Sequence, residues 1–455
     1  MGLKKTQVRQ KNISGKLHAI RANAAGIDVG SKEHYVAVPA EADGESVRRF
    51  GAFTADLIAL ADWLKSCGIE SVAMESTGVY WIALYQILAS RGFEVFLVNT
   101  RAVAAEQKTD VQDCQWIQRL HSYGLLKASF RPEDRICVFR SYMRHRQNLT
   151  EHASAHIQHM QKALTEMNLQ LHHVISDITG VTGLTIVRAI VAGERDRQRL
   201  AQMADARIHS SSETIAKALE GDYRQEHVFA LKQALELYDV YQDKIQQCDT
   251  QLEQYMSRLE PKVELQERPL KPSPRRPGRR KGNGLHFDGR SQLYRISGVD
   301  LTQIDGIEAL AAHKIISEIG LDMTRWPSEK HFSSWLGLSP NNRISGGRVL
   351  HRATRKVVNP ATNALRMCAQ GLLRSKSALG AFARRMKSKL GTMSAITATA
   401  HKLAKMVYRL LKWGEDYVDI GQDAYENTYQ LRLMKNLKRR AAQLGFSLVP
   451  TEGVS

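Results

Sequence analysis

The sequence predicts an α/β N-terminal domain followed by a mostly helical remainder. Three observations carry that prediction. Short apolar runs alternate with helical stripes between residues 24 and 100. An apolar heptad repeats between residues 231 and 259. From Asn341 to Lys412 the chain holds sixteen Lys and Arg and no Asp or Glu. At 455 residues the chain exceeds what one core serves, so two or three domains are expected.

The first domain reads element by element. "AAGIDVGSKEHYVAVPA" gives a strand, a turn at Gly30-Ser31 and a second strand. "TADLIALADWLKSCG" places Leu57, Leu60, Ala61 and Leu64 on one helical stripe that Gly68 stops. "SVAMES" is a short apolar strand, "VYWIALYQILASRG" a helix closed by Gly92, and "FEVFLVN" a further strand. From about Ile136 to His173 the pattern is helical, and "ITGVTGLTIVRAIVAGERD" is a Gly-punctuated turn leading into a helix. In the heptad, Leu231, Tyr238, Ile245, Leu252 and Leu259 share one position, and Ala234, Tyr241, Cys248 and Tyr255 the other. Its partner is either the 136–173 helix folded back or a second subunit. "ERPLKPSPRRPGRRKGNG" lacks apolar residues and reads as a basic linker. "LTQIDGIEALAAHKIISEIG" resembles a helix-hairpin-helix, and residues 393–413 form a helix with Ile396, Ala400, Leu403, Val407 and Leu410 on one face. The expected boundaries are 1–135 for the α/β domain, 136–266 for the coiled-coil region, 267–290 for the linker, 291–420 for the second domain and 421–455 for a tail.

Charge sets the partner class. Lys and Arg total 65 against 46 carboxylates, a net +19. The run from 341 to 412 cannot neutralise itself, and solubility alone is met by mixed signs, so the expected partner is nucleic acid. No apolar run approaches the roughly 18 residues of a membrane helix, and no partner membrane is expected. The basic N-terminus leads into no apolar segment, so it does not read as a signal peptide. Five scattered cysteines with no CxxC give neither a zinc signature nor a disulfide framework, which suits a reducing cytosol.

Four carboxylates form the first functional constellation. Asp110 and Asp113 stand three apart in "KTDVQDC", where like charges on a helix repel unless a cation lies between them. Asp28 sits in the first strand and Glu75 ends a later one. Each has an ordinary structural role available, as a turn residue, a cap or a first-turn anion. In an RNase H-like sheet, however, this order brings all four together, and phosphodiester chemistry uses clustered carboxylates to hold one or two Mg²⁺ ions.

The second constellation is "LGLSPNNRISGGRVLHRATRKVVNP". Ser345 precedes Gly346 and Gly347, with Arg343, Arg348, Arg352, Arg355 and Lys356 around it. Glycines allow close approach of a phosphate, and arginines hold its oxygens. The serine is either a nucleophile that becomes linked to DNA or one residue of a phosphate-binding turn. His351 is the nearest histidine in sequence.

The ordered motifs "GIDVGSK", "MESTGVYW", "NTRAVAAEQKTDVQDCQWI", "LTQIDGIEALAAHKIISEIG" and "WLGLSPNNRISGGR" resemble the insertion-sequence 110/1111 family of transposases, over roughly residues 24–415. The resemblance implies an RNase H/RuvC-like N-terminal domain whose DEDD set, Asp28, Glu75, Asp110 and Asp113, binds Mg²⁺. It implies a C-terminal transposase domain whose Ser345 attacks DNA. Lys108, just ahead of the paired aspartates, is a further expected nucleic-acid contact. It further implies a homo-oligomer, dimer or tetramer, guided to target and donor DNA by a noncoding bridge RNA, in a prokaryotic cytoplasm on the nucleoid. Two features depart from the family pattern: Cys114 replaces a small residue after the second Asp, and the basic linker is long. The competing readings are a metal-dependent junction nuclease of RuvC-like type, indifferent to Ser345, and a non-enzymatic coiled-coil scaffold for nucleic acid.

Overall fold

The computed structural model describes residues 19–76, 78–99, 109–273, 282–351, 353–414 and 421–449. Lys108, Arg352 and residues 274–281 of the basic linker lie outside the described residues. The chain divides into two compact units, the first ending at Arg131 and the second beginning at Pro132.

The first unit is a five-stranded sheet with helices on both faces. Its strands are β1 (Ala24–Val29), β2 (Glu33–Ala37), β3 (Val47–Gly51), β4 (Ser71–Glu75) and β5 (Glu94–Val98), in the order β3-β2-β1-β4-β5. β1 pairs antiparallel with β2 and parallel with β4, β2 is antiparallel to β3, and β4 parallel to β5. Helices α1 (Thr54–Ser66) and α2 (Trp81–Ser90) cover one face, where Ile27, Val36, Leu60, Leu64, Leu84 and Leu88 make the core. Each such fully buried aliphatic side chain contributes about 1.5–3 kcal/mol. Helix α3 (Asp110–Ser122) covers the other face through Ile117 against Ala73 and Val98. β3 escaped the sequence analysis because its central residues are Arg48 and Arg49, which an edge strand tolerates and an alternating apolar pattern does not reveal.

In the second unit α4 (Asp134–Glu166) and α9 (Gln225–Arg258) form a long antiparallel hairpin. Its direction is fixed by three contacts: Tyr255 to the Arg135 carbonyl, Asp249 to Arg146, and Tyr241 stacked on His152. The heptad's partner is therefore α4 of the same chain. Leu231, Ala234, Tyr238, Ile245, Cys248 and Leu252 are buried against it, whereas Leu259 falls just beyond the helix. Four short helices, α5 (Leu171–Val174), α6 (Val181–Val191), α7 (Arg197–Gln202) and α8 (Ser212–Ala218), close the hairpin's tip around Met160, Leu164, Ile186 and Leu200.

The rest is α10 (Gly289–Ser297), α11 (Ala309–Ile319), α12 (Glu329–Trp335), a two-stranded hairpin β6 (Arg343–Ser345) and β7 (Arg348–His351), then α13 (Pro360–Leu372), α14 (Ala378–Leu390), α15 (Thr392–Trp413) and α16 (Gly421–Gln443). The stripe read on α15 is buried at Ala400, Leu403, Val407 and Leu410. The expected helix-hairpin-helix is only half present. Residues 301–303 make a single 3₁₀ turn capped by Asp300, and Gly306, at φ +87°, sends the chain past Leu372 into α11.

A buried ion pair, unread in the sequence, ties this region to the hairpin. Arg146 and Asp249 are almost wholly buried and joined by two hydrogen bonds of 2.6 and 3.1 Å. Asp249 also accepts from the His286 amide at 3.1 Å, and Arg146 donates to the Asn283 and Gly284 carbonyls. The downstream end of the linker is thereby fastened to both hairpin helices.

Candidate active site

The site on the first unit is built by one glycine. Gly26 lies two residues before Asp28, on the same face of β1. A Cβ placed on Gly26 would stand 2.2 Å from the Gln118 amide nitrogen and 2.4 Å from the Cys114 carbonyl oxygen. Helix α3 therefore rests directly on the β1 backbone. Gln118 donates from its side chain to the Ala24 carbonyl at 3.3 Å, so α3 runs antiparallel to β1. Its N-terminus reaches the end of the sheet where β1 and β4 finish. Thr109 is the N-cap, accepting from the Gln112 amide at 3.3 Å, which places Asp110 in the first turn rather than at the cap.

Asp28 projects from that sheet edge, and its surroundings are anionic. Its pKa is pushed up to about 7, first by burial and then by the charges of Glu75, Asp110 and Asp113. The carboxyl of Asp28 also hydrogen-bonds Glu75, which raises it further. Four carboxylates from β1, β4 and α3 thus share one electrostatic neighbourhood. By type they suit a hard divalent cation, which takes oxygen ligands. Among the described residues no three His, Cys, Asp or Glu side chains are gathered into a ligand set as they stand. Cys114, one turn along α3, is fully buried and donates to the Val111 carbonyl, with its thiol pushed up to about 12 by burial and by Asp28. It fills space beside the acids and carries no charge there.

Ser345 lies in the second unit, at the tip of the β6–β7 hairpin. It pairs with Arg348 across Gly346 and Gly347, whose φ values of +55° and +76° make a two-residue turn of the I′ kind. Arg343, Ser345, Gly346, Gly347 and Arg348 are all exposed. His351 pairs with Arg343 at the far end of the hairpin, and among the described residues Ser345 has no hydrogen bond to a histidine or carboxylate. At the hairpin's base Arg343, His351, Arg355 and Lys356 line an open cleft of about 460 Å³. The Arg355 guanidinium is held there by the Ser334 carbonyl at 2.6 Å.

Sequence reasoning passed over Gly26. The signal was present: a glycine inside a buried strand, here between Ala25 and Ile27, marks close approach of another backbone.

An acidic sheet edge in one unit and a carboxylate-free basic run in the other are the marks of a protein that processes DNA. Two family models match, both of transposases: a DEDD transposase model of the IS110 kind over residues 25–169, and the transposase IS116/IS110/IS902 family over residues 300–384. The chain belongs to the IS110 family of transposases. Among curated proteins none matches it. No described helix is long and apolar enough to cross a membrane.

Proposed function

We propose that this transposase cuts and rejoins DNA through a covalent serine–DNA link, with Asp28, Glu75, Asp110 and Asp113 holding Mg²⁺ and a noncoding bridge RNA choosing the sites. The observation that carries the reading is the convergence on Asp28 of three carboxylates drawn from two other elements. The strand order, with β1 central and flanked by β2 and β4, supports an RNase H/RuvC-like domain.

Bound there, Mg²⁺ supplies positive charge to the phosphate and to the departing oxygen. The protein's own groups do the rest. Ser345 Oγ attacks phosphorus; the Oγ–P bond forms as the P–O bond to the leaving deoxyribose breaks, and the serine proton ends on that leaving hydroxyl. The diester is conserved, so reversal by another hydroxyl rejoins strands without ATP. Arg348 beside the turn and Arg343, Arg355 and Lys356 at the hairpin's base, with Arg352 from the same motif, hold phosphate oxygens along the strand, and Gly346 and Gly347 keep the approach free of side chains. Lys108, two residues before Asp110 in sequence, is on this reading a further cation for the phosphate backbone. The sites of a dimer or tetramer are completed on this reading by the two units of different subunits.

The test uses Ser345→Ala with labelled DNA, the cognate RNA and Mg²⁺. Adducts and recombination should vanish while DNA binding persists. Adducts that persist unchanged would refute the serine; strand cleavage that continues without adducts would favour metal-activated water and the nuclease reading.

A further inference from the structure

Strand register places a cation beside the acidic edge that no motif pointed to. In antiparallel pairs, residues opposite one another project from the same face. Asp28 is opposite Tyr35, and Tyr35 is opposite Arg49. On the other side of β1, Glu75 follows the Ile27–Met74 pair, in line with Asp28. One row therefore crosses the sheet on the α3 face: Arg49, Tyr35, Asp28, Glu75. With strands about 4.8 Å apart, the Arg49 Cα stands about 10 Å from that of Asp28. A side chain as long as arginine's shortens that gap to the scale of neighbouring phosphates on one strand.

Arg49 is also free to move. Its side chain is 65% exposed and, among the described residues, meets only the Glu33 carboxylate, at 3.3 Å, which is itself 41% exposed. Glu33 in turn accepts from the Tyr35 hydroxyl at 3.2 Å. An exposed pair of this kind is worth at most about 1 kcal/mol, less than a guanidinium gains from a phosphate. The adjacent Arg48 differs in kind. It points to the opposite face, over the Trp63 ring and against Asp43.

We infer that Arg49 is a positioning residue: it leaves Glu33 to grip the phosphate next to the one held at the acidic cluster, fixing the strand's path across β2. Tyr35 lies under that path and keeps Glu33 turned aside. The inference rests on the metal-site reading proposed above and says which way the nucleic acid runs through it.

The test measures binding of a fluorescein-labelled DNA duplex by anisotropy, in EDTA and in Ca²⁺, across a range of NaCl. The difference between the two conditions reports the acidic edge rather than the basic second unit. Arg49→Gln should weaken binding in Ca²⁺ about tenfold and lower the salt slope by about one, with Arg49→Lys retaining most of both. Arg91→Gln removes an equal charge, from the opposite edge of the same sheet where Arg91 pairs with Asp62, and should change neither. Melting temperature should be unaltered in all three. Identical behaviour of Arg49→Gln and Arg91→Gln would overturn the inference. If Ca²⁺ leaves the wild type's affinity unchanged, the metal-site reading fails, and an unaltered slope for Arg49→Gln in EDTA then sinks the Arg49 role separately.

Discussion

Replacing Gly26 with alanine should dislodge α3 from the sheet and disable the acidic edge. The added Cβ would lie 2.2, 2.4 and 2.7 Å from the Gln118 nitrogen, the Cys114 oxygen and the Gln118 Cα. All three are backbone atoms and cannot swing aside as a side chain would. Ordinary contact begins near 3.4 Å, so α3 must retreat by roughly 1 Å along its whole footprint. Overpacking of this kind costs about 1–3 kcal/mol, against a gain of about 0.4–1 kcal/mol from a stiffer unfolded chain. The net loss is about 1–2 kcal/mol, concentrated in one element. Hydrogen exchange read by mass spectrometry should show α3 and β1 peptides losing protection, with the α4–α9 hairpin unchanged. Gly44→Ala is the control, because nothing lies within 4 Å of its Cβ. If Gly26→Ala protects α3 as well as the wild type does, the helix is not seated on β1 as described, and the placement of Asp110 and Asp113 beside Asp28 loses its basis.

Asp249→Ala leaves the Arg146 guanidinium buried without its partner and should cost about 3–5 kcal/mol in urea unfolding followed by circular dichroism. The double variant Arg146→Met/Asp249→Leu should recover most of it, and a double-mutant cycle measures the coupling. His313 is fully buried, its pKa lowered to about 4 from 6.5 by burial. The unfolded chain takes up that proton near pH 6.5 and the folded chain only near pH 4. Stability held above pH 6.5 is therefore lost as pH falls through that window, by about 3 kcal/mol, and His313→Leu should flatten the dependence in thermal melts. Gly347→Val forces a β-branched residue to φ +76° and should cost about 1–2 kcal/mol locally. Serine–DNA adducts should fall sharply while the overall melting temperature holds.

The parts of the fold legible in the sequence were those written locally. Leu57, Leu60, Ala61 and Leu64 announce α1 by spacing alone, and all four are buried on one face. The heptad announced α9 equally well, but a heptad states only that a partner exists. That the partner is α4 follows from three-dimensional contacts such as Tyr255 to Arg135, 120 residues apart. β3 was hidden because its arginines serve the surface rather than the core. The 3₁₀ turn at 301–303 was misread as a helix because Asp300 and Gly306 confine that segment to one turn. At the site, the types and order of the acids were readable, since each sits in a recognisable strand or helix start. Their mutual approach was not. It depends on Gly26, on the antiparallel seating of α3 and on register across β1, β2 and β4, none of which leaves a periodic mark. The Arg146–Asp249 pair was invisible for a similar reason: a charged residue on a helix is usually solvated, and only the packing of two helices and the 283–286 segment makes it an interior one.

The four acids act, on the proposed reading, as one cation site. Isothermal titration of Mg²⁺ or Mn²⁺ into the full chain tests this most directly, for the wild type and for Asp28→Asn and Asp113→Asn, whose ligands come from β1 and α3. The prediction is a saturable heat in the wild type that both substitutions abolish. Saturable binding that survives either substitution, or a wild type that binds no divalent ion, would contradict it.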